Sequence, residues 1–335
     1  MRQQILACAL LVSMAALLSG TAIAGEPSSS PPAGSLIASS TEPTATEPTT
    51  TPSPTSTVTT VTPFSASEAL AHVRHLSTAI AARPAGSYRE RAAASYIASR
   101  LAAFGYTVRY QAVRLPHGRT SKNVIAVKKG ATPNQFILGA HYDSVGGSPG
   151  ANDNGSGTGV LLELARVLKD RDVQPTIQFV FFCAEELGVD RRRHLHHWGS
   201  HAFVSHLSRA QRSIISGMMS VDMVGYGSRF HWRTIGSGPQ ELSRLLRSFA
   251  YRNGFSMSYL RDPLPTGQSD HEPFELAGVP VSWIQWRSDP TYHSRYDAAG
   301  HIRWARLDSA GSLLEKLMTR LSRKNLQDLR AANRN

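Results

Sequence analysis

In the stretch "FFCAEELG" two glutamates, Glu185 and Glu186, stand side by side directly after a run of large apolar residues, where a buried strand should end. Adjacent carboxylates at the rim of a core repel each other and are costly to desolvate unless a cation lies between them. Other apolar runs end in the same chemistry. "GAHYDS" closes in His141 and Asp143, "GANDNGSG" carries Asp153 in a glycine-rich loop, "SVDMVG" gives Asp222, and "TYHSRYD" gives His293. Singly each is ambiguous, because a strand-end Asp often caps a helix and a lone His is more often a hydrogen-bonded core residue than a ligand. Together, two histidines and three or more carboxylates exceed the three protein ligands of a usual catalytic zinc. They suit a pair of hydrolytic metal ions bridged by a carboxylate and a water.

The elements that must carry these residues follow an alternating pattern. "SASEALAHVRHLSTAI" and "RERAAASYIASRLAAFG" have helical apolar spacing, the second closed by Gly105. "NVIAVKK", "QFILGAHYDS", "TIQFVFFCAEE", "SGMMSVDMVG" and "VPVSWIQW" are β-branched and aromatic runs bounded by Gly, Asn and Pro. Helices are expected at about 157–169, 200–212, 240–252 and 308–322. Strands buried on both faces with helices between them predict a three-layer α/β/α domain around a largely parallel mixed sheet. In such sheets polar site residues gather beyond the carboxyl ends of the strands.

With these motifs in order, the sequence resembles the secreted bacterial leucyl aminopeptidases with two co-catalytic zinc ions, which are related to glutamate carboxypeptidases and glutaminyl cyclases. The resemblance runs from "RPAGSYRERAAASYIASRLAAFGYTV" and "NVIA" to "YHSRYD". It implies that His141 and Asp222 hold one zinc, Glu186 and His293 the other, and that Asp153 bridges them. Asp143 would orient His141 through its second ring nitrogen. Glu185, adjacent but unligated, would be the general base that takes a proton from water and delivers it to the departing amine.

Three departures from the family pattern stand out. The segment 189–198, "VDRRRHLHHW", is inserted before "GSHAF", and its His194, His196 and His197 read as part of a solvated loop bordering the cleft. Glutaminyl cyclases also carry an insertion near this point. No matching tyrosine stands directly before "QSDHEPF", where Thr266 and Gly267 are found, and Tyr292, beside His293, is a candidate oxyanion support by proximity. Asp270 in "SDHEPF" is expected to cap the helix that follows.

The rest of the chain sets the setting. Residues 1–24 have Arg2, an apolar stretch from Ile5 to Leu18 and small residues at Ala22 and Ala24, the pattern of a signal peptide. The stretch 25–63 is rich in Ser, Thr and Pro and is expected to be a disordered tether. Residues 64–325 form the predicted catalytic domain, and 326–335 a polar tail. With Cys8 in the leader, Cys183 is alone and sits in an apolar run, so it reads as core rather than nucleophile. The formal net charge of +12 is spread along the chain without a nucleic-acid motif.

The expectation is an exported, zinc-dependent aminopeptidase, acting as a monomer on peptides with apolar amino-terminal side chains, without nucleic acid partners or stable membrane insertion. Its alternatives are a glutaminyl cyclase with a single zinc, a carboxypeptidase using Arg287, Arg295 or Arg191 to Arg193 to hold a terminal carboxylate, and a metal-free binding module of the same fold. The last would be expected to have lost ligands, and all five positions are filled.

Overall fold

Along β3 (Gln135–His141) successive side chains enter different cores. Phe136, Leu138 and Ala140 pack on one face of the sheet, and Ile137 on the other. The next strand to be laid beside it, β4 (Thr176–Phe182), does the same with Ile177, Phe179 and Phe181 against Val180 and Phe182. That two-sided burial is what an unbroken apolar strand sequence requires, because its period of two sends side chains both ways.

The structure, a computed structural model, describes residues 62–188, 196–263 and 266–335, which fall in one compact unit. The expected signal peptide, most of the expected tether, and residues 189–195 of the insertion lie outside the described residues. The sheet adds β1 (Val108–Arg114), β2 (Thr120–Lys128), β5 (Ile215–Val221), β6 (Arg229–Thr234), β7 (Ser258–Arg261) and β8 (Val281–Arg287), in the order β1-β2-β4-β3-β5-β8-β6-β7. The four central strands β4, β3, β5 and β8 are parallel, and antiparallel pairings begin at β2 and β6. The predicted mixed, largely parallel α/β fold is therefore present. Its parallel centre brings the carboxyl ends of four strands to one edge.

On the first face lie α1 (Ala66–Arg74), α2 (Tyr88–Ala103), α3 (Gly157–Leu168) and α8 (Trp304–Arg320), which contribute Val73, Ile97, Leu161 and Leu314 to the larger core. The opposite core takes Phe203 from α4 (Trp198–Ser205) and Phe274 from α7 (His271–Leu276). Among the described residues no helix is long and apolar enough to cross a membrane. Cys183 is fully buried, and burial pushes its thiol well above the ordinary range, in keeping with a core role.

Several expectations are corrected. The helix expected at 200–212 is two, α4 and α5 (Arg209–Ser213), because Ser208 and Gln211 form a reciprocal capping box that starts a new helix. Residues 326–335 are not a free polar tail. Most of them lie in α9 (Arg323–Ala332), which buries Leu326 and Leu329 three residues apart and begins at a box formed by Ser322 and Asn325. Beyond it, Asn333 donates to the carbonyls of Arg212 and Ile215.

The domain's first anchor is Phe64. Its ring is buried where α8 passes closest, at Gly311, and a Cβ there would overlap the ring. Its amide donates to Glu315, which also pairs with Arg171. Gly311→Ala should expel Phe64 and cost about 1–3 kcal/mol of stability, the usual penalty for overpacking. A denaturant titration of Gly311→Ala that superimposes on wild type would show that the ring is not seated there.

Candidate active site

Each of the seven residues singled out in the sequence reaches one cleft at the carboxyl edge of the sheet. His141 ends β3, with Asp143 two residues on. Glu185 and Glu186 follow β4, and Asp222 follows β5. Asp153 comes from the loop that opens α3, and His293 from the segment after β8.

The ring of His141 is the hub on one side. Its Nε2 lies 3.2 Å from Asp153 Oδ1 and 3.5 Å from Asp222 Oδ1, while its Nδ1 is 3.4 Å from Asp143 Oδ1. On the other side His293 Nε2 lies 3.2 Å from Asp153 Oδ2 and 3.1 Å from Glu186 Oε2. Two three-donor groups result, one of His141, Asp153 and Asp222 and one of Asp153, Glu186 and His293, sharing Asp153 through different oxygens. Four donors at about 2.0 Å around one ion stand roughly 3.3 Å apart, so these separations match the edges of a coordination tetrahedron.

The chain holds this arrangement by hydrogen bonds outside the cluster. The carboxylate of Asp143 accepts the amides of Glu185 at 3.0 Å and Glu186 at 3.1 Å, so it sets the turn of both glutamates as well as facing His141. Just before them, Ala184 has a left-handed φ of 53°, unusual for a residue with a side chain, and its amide donates to the buried Glu90 of α2. The Asp153 loop is tied on both sides. Asp297 accepts the amides of Asn152 at 2.7 Å and Asp153 at 3.0 Å, while Asn154 donates to the carbonyl of Val221 and accepts from Gly157. Gly157 admits no Cβ, since one would overlap the carbonyl of Val221. Below the loop Arg83 is fully buried, donating to the carbonyls of Leu76, Ala81, Tyr142, Pro149 and Gly150.

The electrostatics test whether cations fit. Burial, and then repulsion from Asp153, pushes the Glu186 carboxyl well above its ordinary range, and burial raises Asp222 as well. Against its own burial, Asp153 is held low by His141 and His293. Burial would lower His293, but Asp153 and Glu186 carry it to about 10. Asp222 Oδ1 is buried without a hydrogen-bond partner among the described residues. Four buried carboxylates facing two imidazoles are short of positive charge, and a nitrogen and oxygen donor set of this kind suits divalent ions.

Sequence reasoning missed one part of the site. His196 and His197 do not lie in a solvated loop: they are 2% and 3% exposed. His197 sits between two carboxylates, with Nε2 2.8 Å from Glu185 Oε1 and Nδ1 3.1 Å from Glu272 Oε2. Burial would lower this imidazole, yet Glu185 and Glu272 raise it to about 10, and in return it helps hold Glu185 below its ordinary range despite burial. His194 lies outside the described residues. The available signal was the tight spacing of "HHW" before a helix that must start directly behind the glutamates; a long insertion hides it. His197→Gln should lower kcat about tenfold with KM and metal content unchanged, the worth of one charge-assisted hydrogen bond to Glu185. An unchanged kcat would show that the contact does not steady that carboxylate.

Asp270 is a second correction. It occupies the N-cap position of α7, but its side chain makes no capping bond; it is fully buried, and burial raises its carboxyl to about 7. The cleft opens into a cavity of about 390 Å³ lined on one side by Asp153, Glu185, Glu186 and Asp222 and elsewhere by Tyr292 and Arg287, among others. The ring of Tyr292 stacks on His293 at 3.7 Å. Arg295 is turned away, donating to Tyr296, and Arg191 to Arg193 lie outside the described residues.

The chain is 37% identical over 209 residues to aminopeptidase YwaD of Bacillus subtilis, covering 58% of this chain and 44% of that one. It spans less than half the length of the curated relatives it matches. Among solved structures it is similar to a zinc aminopeptidase from Bacillus subtilis, with a TM-score of 0.69 at 25% identity over 76% of this chain and 94% of the other. It is also similar to a glutaminyl cyclase from Porphyromonas gingivalis, with a TM-score of 0.65 at 26% identity over 79% and 98%. The model of peptidase family M28 matches residues 123–318, which hold every one of the seven cleft residues, and the chain belongs to that family of hydrolases.

Proposed function

We propose that the protein is a zinc-dependent aminopeptidase that removes amino-terminal residues from peptides. The observation that carries this reading is the pair of three-donor groups sharing Asp153, with Glu185 beside them and pinned from behind by His197. In this reading His141 and Asp222 would hold one zinc, Glu186 and His293 a second, and Asp153 would serve both. When bound, the metals polarise the scissile carbonyl and lower the pKa of water in the cleft toward neutrality. Glu185 then acts as general base. Its Oε1 is engaged by His197, and its Oε2, 4.0 Å from His141 Nε2, faces the cleft to take a proton from the attacking water. The hydroxyl oxygen adds to the carbonyl carbon. When the C–N bond breaks, the proton on Oε2 passes to the leaving nitrogen, so the base returns to its starting state. The cleft carboxylates attract a free ammonium group, which favours the amino end of the substrate. Tyr292, which lines the cavity and stacks on His293, is the candidate to support the oxyanion.

The leader pattern at 1–24 supports an exported enzyme; the reading is of a monomer without a nucleic acid partner. The test follows both ends of an unblocked and an amino-acetylated peptide. The expected result is shortening from the amino end, stopped by acetylation, with two zinc ions per chain. Release of the carboxy-terminal residue from the acetylated peptide would instead assign a carboxypeptidase. The likeness to a glutaminyl cyclase supplies the third outcome, ring closure of an amino-terminal glutamine without loss of a residue.

A further inference from the structure

The cavity beside the metal-binding cluster is not the plain apolar slot that a leucine side chain would call for. Its walls include Met223 and Trp283, but also Arg233 of β6, a guanidinium that is only 7% exposed. This arginine is fixed on three sides. Its Nε donates to Asp262 Oδ1 at 2.7 Å, its Nη1 donates to Gln285 Oε1 at 2.8 Å, and its plane lies over the Trp283 ring at 4.1 Å. Asp262 is fixed in turn, accepting the Gln268 amide at 2.9 Å and facing His271 Nε2 at 3.2 Å. The Nη2 of Arg233 has no hydrogen-bond partner among the described residues.

We infer that Arg233 is the floor of the side-chain subsite, and that the enzyme prefers amino-terminal residues ending in a carboxylate or carboxamide, glutamate and glutamine above all. The inference rests on the aminopeptidase reading of the same cleft. A guanidinium held rigid by two hydrogen bonds and an aromatic plane loses little freedom on taking a further planar acceptor, which is why arginine suits carboxylate and amide recognition. Its desolvation is already compensated by Asp262, so an apolar side chain reaching it would leave donors unsatisfied, while an oxygen acceptor would satisfy them. The methylene groups of glutamate and glutamine meet Met223 and Trp283 on the way in. Sites built to hydrogen-bond a polar group discriminate strongly against analogues lacking it.

The test compares aminoacyl anilides, which carry no terminal carboxylate, so that only the side chain can engage Arg233. In the zinc-loaded full chain, kcat/KM for glutamyl or glutaminyl anilide should exceed that for leucyl anilide by roughly tenfold to hundredfold. The ratio between the first two tells whether charge or shape matters more. Arg233→Met should remove the preference. Because it strands Asp262, the paired Arg233→Met/Asp262→Asn variant is measured as well; it should retain the melting temperature of wild type and favour leucyl anilide. A wild-type preference for leucine, or retention of the glutamate and glutamine preference in the paired variant, overturns the inference. So does a preference that appears only with dipeptides bearing a free carboxy terminus. Calorimetric binding of free glutamate, glutamine and leucine reads the subsite separately from turnover. If no anilide is cleaved but glutamate and glutamine bind tighter than leucine, the subsite stands and the aminopeptidase reading falls.

Discussion

A Glu185→Gln enzyme is expected to bind its metals and fold as wild type does, and to turn over roughly a thousandfold more slowly, within the range that loss of a general base costs. The replacement is nearly isosteric. The amide oxygen can still accept from His197 Nε2, which lies 2.8 Å from Glu185 Oε1, so the support behind the residue is kept. The amides of residues 185 and 186 also still bond Asp143, which keeps the turn intact. What is lost is the basic oxygen at the cleft, and an amide cannot hold a transferred proton there. Metal analysis together with kcat on an unblocked substrate separates the outcomes. A near-normal kcat would remove Glu185 from the reaction; loss of a metal ion would make it a ligand instead.

Arg83→Met should be among the most damaging single changes in the domain. The side chain is fully buried and donates five hydrogen bonds to main-chain carbonyls, at 2.6 Å to Pro149 and 2.7 Å to Tyr142 and at 3.0 to 3.2 Å to Gly150, Leu76 and Ala81. The carbonyls of Leu76 and Gly150 keep the amides of Ala81 and Gly155, so those of Ala81, Tyr142 and Pro149 are left unpaired, at about 1 kcal/mol or more each and roughly 3 kcal/mol together. That is a large fraction of the whole stability of many domains. The charge matters too: burial lowers the guanidinium pKa to about 10, still charged at neutral pH, with Asp143, Asp297, Asp153 and Glu186 nearby. The expected fall in melting temperature is roughly 6–12 °C. Arg83→Lys should recover only part of it, since an ammonium cannot reach five carbonyls spread around a planar fork. A melting temperature for Arg83→Met within a few degrees of wild type would show that the loop carbonyls find other partners.

The candidate cleft was legible in the sequence because its residues end buried strands, and an apolar run followed by His, Asp or Glu is conspicuous. His141, Glu186 and Asp222 all follow such runs. The five strands read from composition are apolar and buried. Of those missed, β1 and β7 have polar, partly exposed sequences, "VRYQAVR" and "SYLR", whereas β6, "RFHWRT", is buried beyond Arg229 but its apolar Phe230 and Trp232 are interleaved with His231 and Arg233. α9 escaped for a related reason: Leu326 and Leu329 are its buried residues, and its start is marked by a capping box rather than by apolar spacing. Arg83 was quoted within a motif without a role, since nothing local reveals that a charged side chain will be enclosed by carbonyls from three separate segments. His197 could not be separated from its neighbours, because its partners Glu185 and Glu272 lie 12 and 75 positions away and only the folded chain brings them to the same ring. Asp270 looked like a cap because it occupies a cap position; its side chain faces inward instead.

The loop carrying Asp153 is braced by Asp297, Asn154 and Arg83, all of which act on main-chain groups. The chain's own contacts thus set the path of the loop, while its acidic side chains still face one another across the cleft, so ion uptake should raise the melting temperature without redrawing the backbone.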